Sequence, residues 1–134
     1  MIPISGFYIA LTALPLLVLA FKVVQQRQKL KIGLVDGGEK AITVAMRAQA
    51  NAVETAVPTL LLLLVAELNG ASGWFVHLMG AAYLFSRVFH AYGFTKSEGK
   101  THPGRYYGTL INWIVMVLLI GWALFYFAIS LNAS

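Results

Sequence analysis

The chain contains no cysteine. No disulfide and no thiolate metal site can form, so any thiol chemistry must use a thiol carried in by a ligand. Charge is also scarce: 11% of the 134 residues are charged, 59% are hydrophobic, and the mean hydropathy is +0.74. A soluble domain of this length carries about a quarter charged residues, so an independent soluble domain is excluded. Acidic residues are scarcest of all: outside two basic windows the only formal charges are Glu54 and Glu67. The three histidines, His77, His90 and His102, share no ligand spacing and indicate no metal site. Nucleophile–base pairs, phosphate loops and dinucleotide fingerprints are likewise missing.

What remains is apolar sequence in four long segments. Residues 2–21 and 106–134 carry no charge, 70–93 carry only Arg87, and 41–68 hold a polar string followed by an apolar run. Each is about the 20 residues needed to cross a hydrocarbon core, or longer. The expected fold is an all-α integral membrane four-helix bundle, one domain over 1–134, with helices at about 2–30, 40–68, 73–94 and 105–131. Residues 2–21 have no basic stretch ahead of the apolar run and are interrupted by Pro15, which fits a first span better than a cleaved leader.

All ten Lys and Arg fall within 22–47 and 87–105. With four spans, the first and third connections share one side of the membrane. The positive-inside rule places these loops 1 and 3 in the cytoplasm and both termini in the periplasm, or in the lumen of a eukaryote. The pI of 9.7 then reflects membrane topology, and no nucleic-acid partner is implied, because a basic stripe would need a soluble face. Lys22, Lys29 and Lys31 are expected to meet lipid phosphates by snorkelling. Tyr83, Tyr92, Tyr106 and Tyr107 fit an interfacial belt, although Tyr106 and Tyr107, beside Arg105, could also donate to a ligand.

The string Arg47-x-x-x-Asn51-x-x-Glu54-x-x-x-Pro58 is the chief functional signal. At about 3.6 residues per turn these positions share one helix face, expected to point inside the bundle. Ionisable groups at membrane depth are costly and usually mark a site. They can instead tie helices together, as an internal ion pair with an amide. Pro58 lacks an N–H, so the carbonyl of residue 54 loses its helical partner beside the Glu54 carboxylate. Arg27, Arg47, Arg87 and Arg105 could converge at the cytoplasmic end around Glu54. Such a pocket suits an anionic ligand that also bears an amine, its carboxylates on arginines and its ammonium on Glu54. Arg105 opens the fourth helix at the positive end of the dipole, where a cation does not help the helix and is better explained by a facing anion. His90 lies one turn from Arg87.

Arg47-x-x-x-Asn51-x-x-Glu54-x-x-x-Pro58 in the second span, with the basic end of the first, Arg87-Val88-Phe89-His90 in the third and Pro103-Gly104-Arg105 opening the fourth, resembles the MAPEG family, the membrane-associated proteins in eicosanoid and glutathione metabolism. The layout is most similar to its small bacterial, YecN-like inner-membrane branch. The resemblance implies a homotrimer that binds glutathione between subunits near the cytoplasmic side. Arg47, Asn51 and Glu54 would hold the peptide backbone, Arg27 would reach a carboxylate, and His90 would be a further ligand. Arg87 and Tyr106 belong to the same expected binding set. Arg105 would stand beside the sulfur as the catalytic residue. A cation there raises the thiolate fraction, and the thiolate attacks a hydrophobic electrophile or lipid hydroperoxide dissolved in the bilayer.

The chain departs from relatives at Ala50, where prostaglandin E synthase carries an arginine, and at Phe94 and Thr109, where relatives carry tyrosines. Prostaglandin and leukotriene synthesis are therefore not implied. The resemblance fits a glutathione transferase or peroxidase, and also a non-catalytic lipid or glutathione binder. A small proton-coupled multidrug exporter is a weaker fit. Such exporters carry an essential acid in the first helix, which here has none, and Glu54 has arginine neighbours that would hold it ionised.

Overall fold

A computed structural model of the chain describes residues 2–97 and 100–131. Residues 98 and 99, in the middle of the expected third loop, and 132–134, at the end of the last apolar segment, lie outside the described residues. The chain folds as four helices: α1 (Pro3–Leu30), α2 (Lys40–Leu68), α3 (Gly73–Lys96) and α4 (Pro103–Leu131). By length and composition α1, α2 and α4 are apolar enough to cross a membrane. The 24 residues of α3 rise about 36 Å, long enough to cross as well. Its lower apolarity has a structural reason: Ser86, Arg87 and His90 are buried against the other helices.

Local chemistry sets the ends. Lys31 closes α1 in the left-handed region (φ 56°), and its N–H returns to the carbonyls of Arg27 and Gln28, as helix ends commonly do. In the connection that follows, the Asp36 carboxylate accepts from Gly38 N (3.0 Å) and Thr43 Oγ1 (2.7 Å). These contacts tie the turn to the first turn of α2. They hold the Asp36 carboxyl below its ordinary pKa, the Gly38 N–H contributing most and the Thr43 hydroxyl next. Gly70 (φ 82°) turns the chain after α2, and Ser72 caps α3 by accepting from Phe75 N at 3.3 Å. The fourth helix starts at Pro103, two residues before the expected Arg105. Proline is preorganised for a first helical position, and His102 caps the start, its Nδ1 accepting from Gly104 N at 3.0 Å.

Glu67 has a role that composition did not reveal. From the end of α2 its carboxylate accepts from Ile4 N (3.1 Å), Ser5 N (2.7 Å) and the Ser5 hydroxyl. It satisfies orphan donors at the start of α1 and places negative charge at the positive end of that helix. Nearby, Tyr8 Oη meets His77 Nδ1 at 3.2 Å, and the Tyr8 ring lies where a Cβ on Gly80 would have to be. Within the helices Thr12, Thr55 and Thr59 donate to carbonyls one turn back. Those hydroxyls are satisfied without water, as a lipid environment demands.

The apolar core gathers Tyr8, Ala56, Leu63, Val76, Met79, Tyr83, Val115 and Leu119 from all four helices. Tyr83 is 1% exposed, so it belongs to the core and not to the interfacial belt expected for it. Tyr92, Tyr106 and Tyr107 are exposed, as is Trp74.

Candidate functional site

The motif face of α2 is oriented differently from the sequence expectation. The side of α2 that packs into the protomer carries Ile42, Ala52, Ala56, Thr59, Leu63 and Ala66. Small residues let the neighbouring helices approach there. The Arg47–Pro58 face is rotated away from it: Arg47 and Glu54 are exposed, while Asn51 and Pro58 are half-buried. The expected interior ion pair is therefore not formed within the protomer. The helix continues unbroken through Pro58.

Asn51 is the motif residue that reaches the interior. Its Oδ1 accepts from an Arg87 guanidinium nitrogen at 2.8 Å, and another contact of the same nitrogen runs to His90 Nδ1 at 3.3 Å. Arg87 and His90 are buried, at 8% and 5% exposure. Arginine has only donors, which fixes the polarity of both partners. The Asn51 oxygen faces Arg87, so its NH₂ is left for the other side. His90 Nδ1 must accept, so the neutral ring carries its proton on Nε2 and offers a donor there.

Glycines bring the remaining groups close. A Cβ on Gly108 would lie 2.7 Å from His90 Cβ and 2.7 Å from the Ser86 carbonyl oxygen, and one on Gly104 would lie 2.8 Å from the Phe89 carbonyl oxygen. The backbones of α3 and α4 thus touch at this end of the bundle, which sets His90 near Arg105. The Arg105 guanidinium lies 4.6 Å from the centre of the Phe94 ring and donates to the Lys100 carbonyl at 2.7 Å. Phe94 in turn stacks on His90, their centroids 6.1 Å apart.

Two adjoining cavities share Asn51, His90 and Arg105. One, of about 790 Å³, continues along α4 past Tyr106, Leu110 and Trp113. The other, of about 300 Å³, is closed by Arg47 and Phe94. Neither is lined by a carboxylate. Of the residues expected at the site, Arg47, Asn51, His90, Arg105 and Tyr106 therefore come together. Arg87 stands behind Asn51 and His90 without lining either cavity. Glu54 lines neither. Arg27 is at the α1–α2 corner, donating to the Ile32 carbonyl and to Met46 Sδ, both at 3.4 Å, where it pins the first connection to α2. Among the described residues no three His, Cys, Asp or Glu side chains cluster as a metal site.

Sequence reasoning missed the positioning function of Arg87, because the contact with Asn51 spans two helices 36 positions apart. It also missed Trp113 as a cavity wall, which nothing in its local sequence distinguishes from other bundle residues, and it named Thr109, a second wall residue, only as a departure from relatives.

The model of the MAPEG family matches residues 5–125. The chain is 33% identical over 117 residues to inner membrane protein YecN of Escherichia coli strain K12, an alignment covering 87% of each protein. The same values hold for inner membrane protein YecN of Escherichia coli O6:H1.

Proposed function

The chain belongs to the MAPEG family, and on that premise we propose that it binds glutathione in the two cavities and uses it against hydrophobic electrophiles in the bilayer. The observation that carries this reading is the polarity of the lining. Arg47 and Arg105 supply guanidinium groups, Asn51 and His90 are turned to offer N–H groups, Tyr106 adds a hydroxyl, and no carboxylate opposes them. Such a surface selects an anion, and paired guanidiniums suit carboxylates. A peptide with two carboxylates and a thiol fits the site in charge, and the larger cavity supplies the volume and an apolar wall.

When bound, glutathione would supply a thiol that either adds to an electrophilic carbon or reduces a hydroperoxide to the alcohol, a second thiol completing the disulfide. Arg105 stabilises the thiolate over the thiol by its charge. His90 and Asn51 hold the peptide, with Arg87 fixing both from behind. Leu110 and Trp113 extend the larger cavity with apolar surface for the electrophile. Arg47 and Glu54, exposed on the protomer, are explained in this reading by a homotrimer in which the α2 face meets a neighbouring subunit, and Glu54 there takes the peptide ammonium. The reading places the protein in the bacterial inner membrane, with the basic connections and the site on the cytoplasmic side.

One observation favours a second reading, a non-catalytic lipid or glutathione binder. The Arg105 guanidinium already has the Phe94 ring and the Lys100 carbonyl as partners and would have to exchange them for a thiolate. Turnover of a model electrophile by purified protein, wild type beside Arg105→Ala, separates the two. Loss of turnover with folding and binding retained supports catalysis through Arg105. Equal turnover in the two proteins rejects that role, and binding without any conjugate in the wild type selects the binder.

A further inference from the structure

A third cavity, of about 40 Å³, is enclosed by α1, α2 and α3 and shares His90 with both cavities already described and Phe94 with the smaller of them. Its walls are mostly aliphatic, including Pro15, Leu16, Leu19, Ala48 and Ala52. Two buried polar atoms have no hydrogen-bond partner on residues that line it, Tyr83 Oη and Arg87 Nε. They sit four positions apart on α3, neighbours on one helix face. Buried polar atoms are almost always paired, and one left alone points to a water or an ion.

The chemistry of the two atoms narrows the choice. Arg87 Nε–H can only donate, and the Tyr83 hydroxyl has a proton to donate. A partner shared by the two must therefore accept from Arg87, and an acceptor also suits the Tyr83 proton. Charge narrows it further. Among the described residues the Arg87 hydrogen bonds go to Asn51 Oδ1 and His90 Nδ1, both neutral acceptors. A buried cation without a counter-charge is strongly unfavourable. A water would accept from both donors yet leave that charge uncompensated. Its own protons could go to the lone pairs of the Thr12 and Tyr83 hydroxyls, Thr12 using its proton on the Tyr8 carbonyl, so it is the uncompensated charge, not hydrogen bonding, that separates water from an anion. The volume holds about one water-sized species, too little for a carboxylate-bearing peptide.

We propose that this cavity is a halide site, occupied by a single chloride held by Tyr83 Oη and Arg87 Nε. The ion neutralises Arg87 inside the bundle, and its place between three helices makes it a structural component of the fold. Arg87 also orients Asn51 and His90, so the ion site adjoins the proposed glutathione site, and it is tested by ion binding in the absence of glutathione.

The test is thermal unfolding of the detergent-purified protein in sodium chloride against sodium gluconate at equal ionic strength, wild type beside Tyr83→Phe. A ligand held only by the folded state raises the midpoint with its concentration. The expected result is a saturable rise in chloride and bromide, absent in gluconate and in sulfate, which is too large. In Tyr83→Phe the half-saturating chloride concentration should rise about tenfold or more, the loss of one hydrogen bond to a charged acceptor. Identical midpoints in chloride and gluconate would overturn the proposal and assign the cavity to water. A chloride effect of equal strength in Tyr83→Phe would overturn it too, by placing the ion elsewhere. Should the variant fail to fold, chlorine-35 NMR of the wild type decides: saturable excess line broadening supports the site, and its absence refutes it.

Discussion

Replacing Gly108 by alanine tests the close approach of α3 and α4 on which the site depends. The added Cβ would stand 2.7 Å from His90 Cβ, 2.7 Å from the Ser86 carbonyl oxygen and 2.9 Å from His90 N. None of these is the end of a flexible side chain, so the helices themselves must part by several tenths of an ångström. Overpacking of this kind costs about 1–3 kcal/mol. Alanine also favours the helix over glycine by about 1 kcal/mol, which offsets part of the cost. A net destabilisation of up to about 2 kcal/mol is expected, read as a fall of up to several degrees in the unfolding midpoint of the detergent-solubilised protein. Gly121, on the same helix, is the control, because a Cβ there meets nothing within 4 Å. Gly121→Ala should gain the propensity term and lose nothing. Gly108→Ala should also weaken ligand binding, since His90 moves with the displaced backbone. A midpoint in Gly108→Ala raised as far as in Gly121→Ala would refute the backbone-contact account of this interface.

Arg87→Met should leave Asn51 Oδ1 and His90 Nδ1 without a donor, frees both side chains to reorient, and is expected to weaken glutathione binding about tenfold to a hundredfold, from the usual worth of hydrogen bonds to charged groups; calorimetry reads it, and unaltered affinity would mean that Arg87 does not set their polarity. Glu67→Ala removes the acceptor for the start of α1 and should cost about 1–2 kcal/mol, seen as faster amide exchange at Ile4 and Ser5; exchange that stays slow would show the cap to be dispensable. The Asp36 carboxyl has its pKa lowered by Gly38 N–H and the Thr43 hydroxyl, so its contribution is full above the unfolded-state value and fades as pH falls through the folded one. Acidification below about pH 4 should therefore loosen the first connection, and Asp36→Asn should abolish that pH dependence; equal acid sensitivity in the variant would assign the effect to another group.

The helices were legible because charge is confined to two windows and the four segments between and around them are long and apolar. Their observed bounds differ from the expected ones by two residues at Lys96 and Pro103, where turn-rich sequence blurs the end of a helix. The motif face was legible as a face but not in its direction. Burying Ala52 and Ala56 admits a neighbouring helix closely, whereas Arg47 and Glu54 would have to be desolvated inside a single protomer. Helical periodicity alone does not say which face wins. Tyr83, Glu67 and Arg87 were harder to place, because the partner or cavity that defines each lies on another helix. Nothing local distinguishes a core tyrosine from a belt tyrosine, or a capping glutamate from a surface one.

The most direct measurement is isothermal titration of glutathione into the detergent-purified wild type beside Arg47→Ala and Asn51→Leu. Donors from Arg47, Asn51, His90 and Arg105 with no opposing carboxylate predict saturable binding in the wild type that is lost or much weakened in both variants. Absence of saturable heat in the wild type would contradict the glutathione assignment and reserve this donor-lined cavity for another anion.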